Sequence, residues 1–130
     1  MDKLVHFEIP VDDLARAQKF YSDIFKWDIK NWGDMNGEPY YGVRTVSVDE
    51  TTHIPTEPGA INGGMVMRSK QVQHPIFAIE VSSVDEYIKR IEAAGGKVIK
   101  PKIEIGGMGY YAYVTDLEGN VLGLWENIKK

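Results

Sequence analysis

Apolar and polar positions alternate from Leu4 to Val11, with Val5, Phe7, Ile9 and Val11 on one side and Leu4, His6, Glu8 and Pro10 on the other. A period of two predicts a strand with one face on a core and the other face polar. In "VDDLARAQKFYSDIFKW" the period lengthens to that of a helix: Leu14, Ala17, Tyr21 and Ile24 fall on one side, and Asp12 or Asp13 is available as the N-cap. Strand-like runs follow at "WDIKNW", "YYGVRTVSV" and "INGGMVMR", separated by the turn-rich stretches "GDMNGEP" and "DETTHIPTEPG".

The same order then returns. "HPIFAIEVSSVDEYIKRIEAAGG" places Phe77, Ile79 and Val81 on one strand face, then Val84, Tyr87, Ile88 and Ile91 on one helix face, with Gly95 and Gly96 as the stop. Strands are expected at "KVIKPKIEI", "GYYAYVTD" and "NVLGLWENI", and "LEGN" reads as a tight turn between the last two. The chain is therefore βαβββ twice. Pairing Val11 with Val81 and Leu14 with Val84 superposes the two halves without a gap through strand and helix. The expected organisation is one α+β domain over residues 1–130, with a first module at 1–70 and a second at 74–130. A half of ~60 residues buries too little surface to stand alone.

Composition narrows the partners more than the fold. The formal net charge of -4 offers no broad basic surface, so neither nucleic acid nor an anionic membrane is expected as a partner. No run approaches the ~20 apolar residues of a membrane helix, and the first residues lack a charged-then-apolar signal pattern, so the expected location is the cytoplasm. With no cysteine, any metal would need His, Asp or Glu ligands.

"VHFEIPVDDLARAQKFYSDIFKW", "IEVSSVDEYIKRIEAAGGKV" and "VTDLEGNVLGLWE" together resemble the vicinal oxygen chelate superfamily, which includes glyoxalase I, extradiol dioxygenases and bleomycin resistance proteins. The resemblance implies two βαβββ modules forming curved mixed sheets around a pocket with the helices outside. It is closest to the glyoxalase-related group ending in a "DPEGN" turn and a "GLWE" strand. Here Leu117 replaces the proline, which should soften the turn and leave the fold unchanged.

The resemblance also implies a divalent metal held by up to four strand residues, with His6 at the first ligand position. The repeat pairs His6 with Ile76, and the last-strand position, four residues after Gly119, is Gly123. Glu126 points by alternation to the face of Leu122 and Leu124. The fourth-strand position falls among Gly63, Gly64 and Met65. Three of four positions lack a ligand, so no metal or other cofactor is expected, the remaining metal option being a rearranged site of His6, Glu8 and Glu80. Otherwise His6 is a neutral hydrogen-bonded imidazole, or a general acid or base oriented by Glu8.

His6 and Glu8 are the candidate catalytic pair. Arg44, Met65, Met67, Tyr111, Tyr113 and Trp125 are the candidate ligand-binding residues, an aromatic and methionine lining for a small apolar or aromatic molecule with Arg44 for an anionic group. Ala112 and Val114, on the alternate face, suit packing under a helix. "EIGGMGYY" is a candidate mobile flap, and His53 is expected to be exposed. Two functions remain open: a glyoxalase-like lyase or isomerase acting on a small oxygenated metabolite, or a small-molecule binding or sequestering protein of the bleomycin resistance type. Either is expected to be a homodimer, because the resembled family commonly pairs chains.

Overall fold

The structure, a computed structural model, describes residues 1–35 and 37–128. It divides into two compact units: residues 6–75, and residues 76 onward together with residues 1–5. The first contains β1 (Leu4–Val11) from residue 6 onward, α1 (Leu14–Phe25), β2 (Asp28–Met35), β3 (Glu38–Arg44) and β4 (Asn62–Met67). Its strands run in the order β2-β3-β4-β1, with β1 parallel to β4 and the other neighbours antiparallel. The second contains β5 (Ile76–Glu80), α2 (Val84–Ala94), β6 (Lys97–Ile105), β7 (Gly109–Thr115) and β8 (Val121–Asn127), ordered β5-β8-β7-β6 with β5 parallel to β8. The repeat expected from the sequence is thus present strand for strand, and the class is α+β.

Each helix covers one face of its own sheet. In the first unit Leu14, Ala17 and Tyr21 of α1 pack on Val11, Ile29, Val43 and Met65. In the second, Val84, Tyr87, Ile88 and Ile91 of α2 pack on Val81, Ala112, Val114 and Leu124, and burying each such aliphatic side chain contributes roughly 1.5–3 kcal/mol. Ile24 departs from expectation, being 59% exposed. The helix stops at Lys26, which takes the left-handed conformation (φ 63°), and Trp27 turns back to stack on Tyr21 at 5.2 Å, filling the place Ile24 would have taken. Asp13 is the N-cap of α1, accepting from the Arg16 amide at 2.9 Å.

Strand ends shift for identifiable reasons. The third strand, expected to run to Val48, ends at Arg44, because the Asn62 side chain accepts the amides of Thr45 (2.8 Å) and Val46 (3.2 Å) and draws them out of the ladder. β2 runs on to Met35 through a register shift between Asn31 and Asp34. The turn expected at "GDMNGEP" includes position 36, which lies outside the described residues. Within "EIGGMGYY" the chain makes a tight hairpin turn: the Met108 amide donates to the Ile105 carbonyl at 2.9 Å, and Gly106 and Gly107 supply the positive φ the turn requires. The "LEGN" turn is held by Asp116, which accepts from the amides of Glu118 and Asn120.

Glu126 lies on the helix side of its strand, as alternation implies, and accepts the Val84 amide at 2.8 Å while Ser83 accepts that of Glu86. Two donors of the first turn of α2 are thereby satisfied. Glu126→Ala should lower stability by about 1 kcal/mol without altering ligand binding, measured by urea unfolding. No helix among the described residues is long and apolar enough to cross a membrane.

Candidate functional site

In the first unit the core uses one sheet face. Phe7, Ile9 and Val11 of β1 pack toward α1, so His6 and Glu8 stand on the opposite face. On β3, Tyr41 and Val43 face the core, which puts Tyr40, Gly42 and Arg44 on the side of Glu8. Three polar side chains meet there. His6 Nε2 is 2.9 Å from the Tyr40 hydroxyl, the hydroxyl donates to Glu8 Oε2 at 3.5 Å, and His6 Nε2 is 3.9 Å from the same carboxylate oxygen. With its proton on Nε2, His6 donates to Tyr40, which donates onward to Glu8; with the proton on Nδ1, the phenol donates to His6 instead.

Burial sets the charge states. Glu8 is 2% exposed, whereas a quarter of the His6 side chain meets solvent. Burial lowers the His6 pKa to about 4, so the imidazole is neutral at neutral pH. Tyr40 is raised well above the usual phenol range, first by burial and then by the charge of Glu8 and the hydrogen bond to it, so it remains a phenol. The resting cluster is a neutral imidazole and a phenol backed by a buried carboxylate.

Two glycines make this arrangement possible. Gly42 and Gly64 are register partners on β3 and β4, and Gly64 is also the partner of Glu8 on β1. A Cβ on Gly64 would lie 2.0 Å from the Tyr40 oxygen, and one on Gly42 would lie 2.1 Å from the Trp32 ring. Each aromatic therefore lies across the bare backbone of the next strand: Trp32 of β2 over Gly42, and Tyr40 of β3 over Gly64, where its hydroxyl reaches His6 and Glu8. The two rings stack at 5.9 Å.

The second unit repeats the aromatic part without the acid and base. Tyr111 lies over Gly123, whose Cβ would fall 2.0 Å from the Tyr111 oxygen, and Ala78 is the register partner of Gly123 as Glu8 is of Gly64. Tyr111 contacts Tyr113 at 4.9 Å and Trp125 at 6.3 Å, on the face away from α2. Trp125 donates to Asn127 at 2.8 Å, and Asn127 donates to Glu80. Ile76 and Ala78 stand where the first unit has His6 and Glu8.

The model of the Glyoxalase/Bleomycin resistance protein/Dioxygenase superfamily matches residues 3–124. This chain belongs to that superfamily. Over 122 residues it is 29% identical to "Putative glyoxylase CFP32" of Mycobacterium tuberculosis, covering 92% of this chain and 43% of that protein. It is 26% identical over 129 residues to the anthracycline biosynthesis protein DnrV of Streptomyces peucetius, covering 92% and 45%. The chain thus spans less than half the length of these relatives. A glyoxylase-like domain-containing protein of Didymella fabae is 30% identical over 118 residues, covering 87% and 84%. Among solved structures, methylmalonyl-CoA epimerase from Mycobacterium tuberculosis superposes with a TM-score of 0.66 at 16% identity, covering 95% of this chain and 87% of that one. At that identity the likeness shows the fold alone.

The side chains of this superfamily member do not fit the divalent metal centre that the family resemblance implies. Glu8 faces Gly64 across its strand pair, Ala78 faces Gly123 across the equivalent pair, and His6 Nε2 is bonded to Tyr40. Among the described residues no three His, Cys, Asp or Glu side chains come together in a way that could hold a metal ion. Glu80, offered above as a ligand in a rearranged site, is bonded to Asn127 beside a surface hollow lined by Asp2, Lys3 and Ser82.

The structure sorts the expected ligand-binding residues of this glyoxalase-superfamily chain into three groups. Tyr111, Tyr113 and Trp125 share a face, as alternation implied. Met65 and Met67 do not join that face: Met65 is fully buried against Val11, Ile29 and Val43, and Met67 pairs with Val11 on the same helix-covered side. Their register with Ile9 and Val11 on β1 is the reason, since partners in a parallel pair share a face. Arg44 lies 3.7 Å from Glu50 in a surface ion pair. Tyr40 and Trp32 were absent from the expected set. Their only sequence signal is the alternation of β3 against Gly42 and Gly64, and it stays ambiguous until the strand pairing is known.

Proposed function

We propose that this chain catalyses proton transfer on a small oxygenated metabolite, as a lyase or isomerase of the glyoxalase-like type, without a resident metal. The observation that carries the reading is the His6–Tyr40–Glu8 chain of hydrogen bonds on the sheet face the core does not use. A buried carboxylate costs folding free energy and is kept where it serves a site. His6 is the most solvent-accessible of the catalytic pair and the group a substrate meets. It takes a proton from carbon next to a carbonyl: the C–H bonding pair forms a carbon–carbon double bond and the carbonyl π pair moves onto oxygen, giving an enolate. Glu8, relayed by Tyr40, stabilises the imidazolium so formed, and return of the proton to the other face or to a neighbouring atom yields the isomer. The glyoxylase names borne by the sequence relatives are consistent with chemistry at such a carbon.

The test is proton–deuterium exchange in D2O, followed by NMR, across a panel of small 2-oxo and 2-hydroxy compounds. Exchange above the buffer rate for at least one member is expected; a panel wholly silent would overturn the reading. Metal analysis of protein purified without chelators is expected to find well under one divalent ion per chain, and a stoichiometric ion would remove the metal-free part. The second reading, ligand binding without turnover, is supported by the neutrality of His6, which suits it to hydrogen bonding. It predicts saturable binding without exchange. We also take the active form to be a homodimer, for which the half-exposed Phe20, Ile24 and Phe25 of α1 offer an apolar face; sedimentation of the purified protein decides it.

A further inference from the structure

Trp32 is an exposed aromatic beside a polar cluster. It is 47% exposed, with Gly42 directly beneath its indole and the Tyr40 ring stacked against it at 5.9 Å. The Tyr40 ring is in turn anchored by its hydroxyl to His6 and Glu8. Platform and acid/base cluster are therefore one mechanical piece, linked through a single tyrosine ring. The two bare glycines show that the backbone has been cleared for both rings. Gly42 and Gly64 have no positive φ to explain them, so their role at these positions is space.

We infer that Trp32 forms the stacking platform of the ligand site, and that the ligand carries a planar conjugated group attached to the carbonyl-bearing carbon presented to His6. The inference rests on the proposed site and adds the substrate class. A flat π-system laid on the indole gains dispersion and electrostatic contact that a puckered saturated ring of equal size cannot match. The reach is short, because Tyr40 contacts both: its ring lies 5.9 Å from that of Trp32 and its hydroxyl 2.9 Å from His6 Nε2. A ligand consisting of one or two fused aromatic rings with an acyl group would touch both.

The probes are acetonaphthone and its saturated analogue acetyldecalin, titrated by NMR against the wild-type chain, Trp32→Leu and Trp32→Phe. The wild type should bind acetonaphthone at least about tenfold more tightly than acetyldecalin, the size of one good aromatic contact. Trp32→Leu should erase that preference, and Trp32→Phe should restore most of it. Because Trp32 is half-exposed, both variants should retain the wild-type circular dichroism. Equal binding of the two ketones, an undiminished preference in Trp32→Leu, or no binding of either ketone would overturn the inference. Aromatic-selective binding that depends on Trp32 but brings no deuterium exchange would leave the platform standing and remove only the proton-transfer reading.

Discussion

His6→Ala is expected to slow deuterium exchange by about a hundred- to ten-thousand-fold, the range a general acid or base contributes, while circular dichroism stays that of the wild type. Its informative companion is Gly64→Ala, which deletes no functional group. The new Cβ would sit 2.0 Å from the Tyr40 oxygen, so the hydroxyl must leave its place between His6 and Glu8. If the three residues act as one unit, this methyl should cost nearly as much activity as removing the imidazole. If His6 acts alone, Gly64→Ala should leave most of the exchange rate intact. Single-turnover rates of both variants and of the double variant decide between these outcomes. Near-identical losses in all three are expected, since breaking a chain twice costs little more than breaking it once.

The second large effect is on stability against pH. His6 has a folded pKa of about 4 against an ordinary 6.5. Below pH 6.5 the unfolded chain binds a proton there that the folded chain refuses, so stability falls as pH drops from about 6.5 to about 4, and this contribution is unchanged outside that window. At one pKa unit per ~1.4 kcal/mol, the loss is at most about 3 kcal/mol. It is a ceiling because a quarter of the side chain still meets solvent. His6→Gln keeps a donor and acceptor for Tyr40 but cannot be protonated. Urea unfolding at pH 7.5 and pH 4 should therefore show the wild type losing up to ~3 kcal/mol more than the variant. Equal losses in the two proteins would show that His6 is not held neutral by the fold.

The periodicities of two and 3.6, with Asp12 or Asp13 as a cap and Gly95 and Gly96 as a stop, foretold the strands and both helices of the described residues, because helix faces and strand alternation are local properties written in consecutive residues. Ile24 escaped for a local reason too subtle for periodicity, the left-handed turn at Lys26 that lets Trp27 replace it. The site was legible only in part. His6 and Glu8 stood out because a carboxylate and an imidazole on alternating positions of an apolar strand are uncommon, Tyr111 and Tyr113 because they alternate with Ala112 and Val114, and Trp125 because it shares a strand face with Val121 and Gly123.

Tyr40 and Trp32 were hidden because their role depends on which residues lie beside them on neighbouring strands. "YYGV" does not say which tyrosine faces the core, and "NGGM" does not say that Gly64 lies between Tyr40 and Glu8. Met65 and Met67 were misplaced for the same cause: their face follows from the parallel register with Ile9 and Val11, a pairing between segments more than fifty residues apart. Family, repeat and elements thus follow from residues read in order along the chain. The joining of an imidazole, a phenol and a carboxylate across three strands, with bare glycines making room for two rings, comes from strand pairing. Register is set by long-range packing, and shifting a strand by one residue exchanges its two faces.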